Sequence, residues 1–271
     1  MVGQDFGFPV GMERKSPPEF RRRIVAAAIS YRFGLRSIDS ALKRYVDPNL
    51  YEGADVSLGD EISDYLRESA SALRPGLRDL HTKDPTFGQL GSEITLFKVP
   101  NSLDTARMLS NRGLLLEVVP ILRLCVEMMS WAVVVFHMQE ESKIIETKAQ
   151  YCITEMKNIY GTAGKIYGYL SKFSHWGHII HGKFLVFDAE RLALLEASVR
   201  YRAMSLALCL VVLDIFVEVI RKLYGESSEG LIVKLQGDIA KNTIRNSRQM
   251  LSKIVEVADL DEIREIQSLL A

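Results

Sequence analysis

The chain has 271 residues, with Lys+Arg and Asp+Glu both totalling 34. It can bury a sizeable core, and its neutral balance excludes a global polyelectrolyte role. Cys125, Cys152 and Cys209 lie in apolar or helical patterns without CxxC spacing. That spacing argues against a disulfide framework or a zinc ribbon and fits a reducing cytoplasm.

Residues 1–15 are glycine-punctuated, lack signal-peptide character and read as a flexible arm. Ser16-Pro17-Pro18-Glu19 has the features of a helix start, and the pattern predicts a helix to about Phe33. Gly34 ends it, and Ser37 can cap a short second helix that stops before Asp47-Pro48. From Glu13 to Val46 there are nine Lys/Arg against three Asp/Glu, a local net charge of +6. This basic 13–46 region is where RNA or DNA would be contacted. An ordinary solvated face is the competing reading, since the turn around Gly34 fits a DNA-reading helix–turn–helix poorly.

Residues 47–100 are broken up by Gly53, Gly59, Gly76, Gly88, Gly91, Pro48, Pro75, Pro85 and Pro100. They read as a connector with one helix near Leu58–Leu73 and an extended piece at SEITLFKV. The expected organisation is an arm at 1–15, a basic helical region with connector at 16–100, and a bundle core at 101–271.

In the core, a helix starts at Ser102, and Gly113 bends it or separates it from the next. The long apolar run Leu114–Val135 follows, with Pro120 as a kink site. Further helices are predicted over Ser142–Tyr169, from Asp188 as N-cap to Tyr224, from Ser228 to Ala258, and over Leu260–Leu270. Long helices with little alternating β-branched pattern make the fold all-α, a bundle of long buried helices. The runs Leu114–Val135 and Ser205–Ile220 raise the question of a membrane, but the first contains Glu117, Arg123 and Glu127. Each central charge costs roughly 2.5–3.5 kcal/mol on insertion scales, so no membrane crossing is expected.

Within that apolar run, Arg123, Glu127, Ser130, Val134 and His137 fall on one face at helical spacing. Arg123 and Glu127 at i, i+4 can close a salt bridge. A charge kept in an apolar helix either fixes packing or serves a polar site between helices. His175, His178 and His181 follow at spacings of three. They lack an HExxH motif or paired carboxylates, so neither a metal nor another cofactor is expected; His175 is the candidate general acid/base.

The positions Leu109, Gly113, Glu117, Arg123 and Glu127, followed by Tyr167-x-x-Leu170-Ser171-x-x-x-His175, carry a resemblance. Over about 102–182 the chain resembles prokaryotic helical proteins close to the higher-eukaryote-and-prokaryote nucleotide-binding (HEPN) bundles. The resemblance implies an all-helical bundle in which Arg123, Glu127, Ser171 and His175 cluster. Ribonucleases of the HEPN group use an R-x4-6-H spacing on one helix. Here that spacing is met only by Arg74 and His81, across Pro75-Gly76 and outside the expected core.

Three function classes follow. The first is a metal-independent, ribonuclease-like protein with Arg123, Glu127 and His175 as catalytic residues. The second is a non-catalytic scaffold that binds nucleic acid or protein. The third is a homo-oligomer assembled through helices 114–138 and 204–222.

Overall fold

A computed structural model describes residues 17–46, 54–174, 185–188, 191–194, 199–232, 252–254, 266 and 268. The chain divides into two compact units, 1–60 and 61–271. The boundary lies forty residues earlier than the one expected at 100/101.

In the first unit, α1 (Pro18–Arg32) starts with Pro at its first position and an acidic Glu19 in its first turn. It ends at Gly34, whose φ of +61° is the left-handed conformation that glycine adopts without penalty. α2 (Ile38–Tyr45) is capped as expected, the Ser37 hydroxyl accepting from the Ser40 N–H at 3.3 Å. Val25, Ala26 and Ile29 of α1 bury against Ala41 and Val46, with Leu35 and Leu42 alongside.

The second unit is an all-α bundle. α3 (Ala54–Asp79) spans the unit boundary, and its part in this unit carries Ile62, Leu66, Ala70, Leu73 and Leu77 at spacings of three and four, all buried. Pro75 and Gly76 lie inside this helix instead of ending it. Pro75 faces solvent, and a Cβ on Gly76 would collide with the Leu231 side chain. α4 (Phe87–Ser110) replaces the extended piece expected at SEITLFKV. Its start is fixed by a capping box, Thr86 and Gln89 each bonding the other's backbone N–H. Ser92, Leu96, Val99, Leu103 and Ala106 make its buried stripe. Gly113, at φ +74°, separates α4 from α5 (Leu115–Val135).

The helix expected over 142–169 is three pieces, α6 (Glu141–Glu146), α7 (Ala149–Met156) and α8 (Ala163–Ser174). Thr147 and Lys148 are extended between the first two, and Trp131 Nε1 donates to the Thr147 carbonyl at 2.9 Å. α5 therefore pins the break. Asp188 is not an N-cap: β1 (Leu185–Asp188) pairs antiparallel with β2 (Arg191–Leu194), and α9 (Val199–Tyr224) begins later. The apolar runs on either side of Asp188–Arg191 have the strand–turn–strand pattern that a reading at helical period misses. Most of the helix expected from Ser228 to Ala258 lies outside the described residues, as does the arm before Ser16.

α5 packs on α4, α7, α8 and α9, and α4 also packs on α9. Every side chain from Ala203 to Leu213 is buried, as expected for a helix that is apolar on all sides. Asp214, within this helix, accepts from the Tyr160 hydroxyl at 2.8 Å. Leu115–Val135 and Tyr201–Ile232 are each long and apolar enough to cross a membrane by length and composition. Their share buried within the protein is 50% and 83%, so α9 is enclosed by its own bundle.

Candidate functional site

The face of α5 that carries the predicted stripe divides. Ser130 is fully buried and donates back to the Val126 carbonyl at 2.7 Å, while His137 lies past the helix end and is exposed. Arg123 and Glu127 lie between these extremes, with side chains 24% and 21% exposed. They are only partly buried, short of the deep burial that an apolar helix implied. α5 places them one turn apart, and α8 brings a third group between them. Arg123 Nε donates to Glu127 Oε1 at 3.2 Å, and Arg123 Nη2 donates to the Tyr167 hydroxyl at 3.1 Å. The Tyr167 hydroxyl in turn donates to Glu127 Oε1 at 2.7 Å. The guanidinium carbon also stands 5.3 Å from the centre of the Tyr167 ring.

The resulting clasp joins α5 to α8 with its charges balanced and its tyrosine hydroxyl used as both donor and acceptor. Desolvation by itself would lower the Arg123 pKa. The bonds to Tyr167 and the charge of Glu127 outweigh it and raise the pKa above its ordinary value. Arg123 therefore remains a permanent cation at a solvent-reachable position, able to face an anion while Glu127 and Tyr167 fix its direction.

Ser171 lies one turn beyond Tyr167, and its hydroxyl oxygen is buried without a hydrogen-bond partner among the described residues. His175, His178 and His181 lie outside the described residues. The structure thus brings Arg123 and Glu127 together, while the position of His175 relative to them is not described. Among the described residues, no group of three or more His, Cys, Asp or Glu side chains is placed to share a metal ion.

A second polar group escaped the sequence reading. Glu93, on α4 and only 4% exposed, takes a bond from His81 Nδ1 at 2.5 Å and from the Thr82 N–H at 3.0 Å. His81 itself is 54% exposed, so a buried carboxylate orients a half-exposed imidazole through its Nδ1. The available signal was the loop HTKDPT leading into a capped helix with a carboxylate two turns in. Reading SEITLFKV as extended hid it. The Arg74–His81 spacing is on or next to one continuous helix, contrary to the break expected at Pro75-Gly76. The two side chains nevertheless have separate partners: Arg74 Nε bonds Asn101 Oδ1 at 2.9 Å and its Nη2 lies 3.6 Å from Asp104.

The buried thiols offer no nucleophile. Burial pushes Cys125 and Cys209 up to about 12, so both stay protonated at neutral pH. No family model matches the chain, and no curated protein or solved structure matches it.

Proposed function

We propose that this chain is a HEPN-like helical bundle with a metal-independent, RNA-directed role carried by the α5–α8 clasp. In this reading Arg123 engages a phosphate and Glu127 and Tyr167 hold its guanidinium in place. His175, eight residues beyond Tyr167 in the sequence, transfers the proton. The observation that supports it most is that the Arg123–Glu127–Tyr167 cluster is ordered by reciprocal bonds while its Arg123 and Glu127 side chains remain 24% and 21% exposed. A purely structural pair in a helix this apolar could have been sealed.

The test is incubation of the full chain with a fluorescently labelled single-stranded RNA in EDTA. Cleavage is expected to persist without divalent metal and to disappear in Arg123→Ala and His175→Ala, with melting temperatures close to the parent. Arg123→Lys should recover little, because an ammonium cannot donate to Glu127 and Tyr167 from one planar fork. RNA left intact by the parent chain, with or without metal, would end the reading.

A second reading, self-association, has its own observation. Phe87, Leu90 and Ile94 lie at i, i+3 and i+7 on α4 and are 60%, 41% and 53% exposed. An exposed apolar stripe of this kind fits an assembly face. If the chain elutes as a dimer, Leu90→Asp/Ile94→Asp should make it monomeric. A parent that is monomeric at micromolar concentration rules this reading out.

A further inference from the structure

The side of α4 that faces away from the bundle differs from an ordinary solvated face. Its exposed residues are Phe87, Leu90, Ile94, Lys98, Asn101, Thr105 and Met108, spaced by three and four throughout. At 3.6 residues per turn they fall in one band about 80° wide, running the length of the helix. Neighbouring helices bound that band on both sides. α5 flanks it where the Trp131 ring edge lies 3.3 Å from a Cβ placed on Gly91. α3 flanks it where Arg74 bonds Asn101 and stands 3.6 Å from Asp104. Within the band Lys98 is the single charge, while Phe87, Leu90, Ile94 and Met108 are 60%, 41%, 53% and 56% exposed. α4 is therefore apolar toward its own core and again toward water. Phe87, Ile94, Asn101 and Met108 follow one another at intervals of seven, the period at which one helix meets another along a seam.

We propose that this band is the seam of a homodimer, in which α4 from two copies lies parallel and in register about a two-fold axis. The inference rests on the self-association reading, to which it adds direction and register, and is independent of the α5–α8 site. Direction follows from what each arrangement sets opposite what. Antiparallel over the full length, Ile94 meets Asn101 and the two Lys98 ammoniums face each other. An amide against isoleucine loses hydrogen bonds, and opposed like charges repel. Slid so that Leu90 meets Leu90, an antiparallel pair matches apolar with apolar but leaves Met108 in water. Parallel and in register, each apolar residue meets its own kind and Asn101 meets Asn101. Its Oδ1 accepts from Arg74 Nε at 2.9 Å and keeps a lone pair for the partner's amide. Lys98 sits at the α5-side edge of the band, so two-fold symmetry puts its two copies on opposite sides of the seam. Size points the same way. The whole band covered on both copies gives roughly 1,000 Å², where specific contacts begin, and its first turns alone fall well short. A lipid surface fits less well, because Lys98, Asn101 and Thr105 interrupt the band in its middle.

Cys125, Cys152 and Cys209 are all buried, so a cysteine placed on the band supplies an exposed thiol against a quiet background. Full-length Phe87→Cys and Met108→Cys can be oxidised with copper–phenanthroline, singly and as an equal mixture, and read on non-reducing gels. Each variant alone should form a disulfide-linked dimer, and mixing should add no link between positions 87 and 108. A link that appears only in the mixture means antiparallel helices, and a link in neither variant means a slid or different contact. Either result overturns the arrangement. By sedimentation, Leu90→Asp/Ile94→Asp should raise the dimer Kd roughly a hundredfold with an unchanged helical circular dichroism spectrum. A parent that is monomeric at micromolar concentration ends the self-association reading itself. A dimeric parent that the double variant leaves intact keeps that reading and removes α4 from the interface, which overturns the proposal.

Discussion

α5 is held at its C-terminal end and at its middle by different means. Toward its C-terminus it meets the start of α4 backbone to backbone: a Cβ on Gly88 would collide with the carbonyls of Val135 and Met138. Glu93 lies one turn further along α4, buried and bonded by His81 and Thr82. Midway along, α5 is tied to α8 by long polar side chains, the Arg123–Glu127–Tyr167 clasp, with water within reach. The first contact has no slack and depends on shape. The second is adjustable and nearly self-neutralising. A site that must admit a ligand can be built from the second kind, whereas the first sets where the helices stand.

The largest effect should come from the contact without slack. Gly88→Ala forces a methyl into backbone carbonyls and should cost about 3 kcal/mol in urea unfolding, near the top of the range for overpacking. Gly91→Ala, three residues on, is the control. Its Cβ would meet only the edge of the Trp131 ring at 3.3 Å, and alanine favours the helix, so stability should stay within about 1 kcal/mol. Equal losses at the two positions would show that the close approach at Gly88 is not special.

Next comes the buried carboxylate. His81→Ala leaves Glu93, 4% exposed, with the Thr82 N–H as its remaining partner, and should cost about 2 kcal/mol. The clasp should be weaker. Glu127→Ala would cost 3–5 kcal/mol if the pair were sealed, by the usual penalty for stranding a buried charge. With both side chains more than one-fifth exposed, water can take over, and about 1–2 kcal/mol is expected. Tyr167→Phe should cost about 1 kcal/mol. The double variant should lose less than the sum, because Tyr167 and Glu127 share one bond. A larger loss for Glu127→Ala than for His81→Ala would reverse the ranking of the two contacts.

The smallest effect should appear only in alkali. Burial, and secondarily the charge of Glu93, raises the Tyr224 hydroxyl above its ordinary value. Burial also pushes Tyr65 up to about 12, with Asp214 adding to it against the Ser69 bond. An unfolded tyrosine loses its proton near 10. Between about pH 10 and 12 the folded chain therefore holds more protons than the unfolded one, and stability falls as pH rises through that window. Below about pH 9 these two groups contribute no slope. Tyr65→Phe/Tyr224→Phe should flatten the decline, as read by unfolding midpoints at pH 9, 10.5 and 11.5. A slope unchanged in the variant would show that other groups dominate.

The sequence made the termini of several elements legible because single residues decide them. Gly34, Gly113 and Gly225 take positive φ where helices stop, and Ser37 caps where a hydroxyl was expected. Helix continuity was harder to read. Pro75 and Pro100 looked like breaks, yet both lie inside long helices whose apolar stripes are buried, Pro75 on the solvent side of its helix and Pro100 in the core. The opposite error occurred after α5. Residues 142–169 have good helical pattern, but the Trp131–Thr147 bond holds the chain extended at the first break. Of the site, the i, i+4 spacing of Arg123 and Glu127 is local and could be read directly. Tyr167 sits forty residues from Glu127, and no periodicity within one helix reveals a bond across two.

α9 is more enclosed than α5 and is made after it. On the ribosome, α4 and α5 are complete well before Val199 leaves the exit tunnel. At about 5–20 residues per second, the faces destined for α9 stay uncovered for a time on the order of ten seconds. Synthesis thus leaves a greasy trough waiting for its filler. A chain truncated before Val199 should be held by chaperones, and the yield of soluble protein should rise when translation of the last third is accelerated.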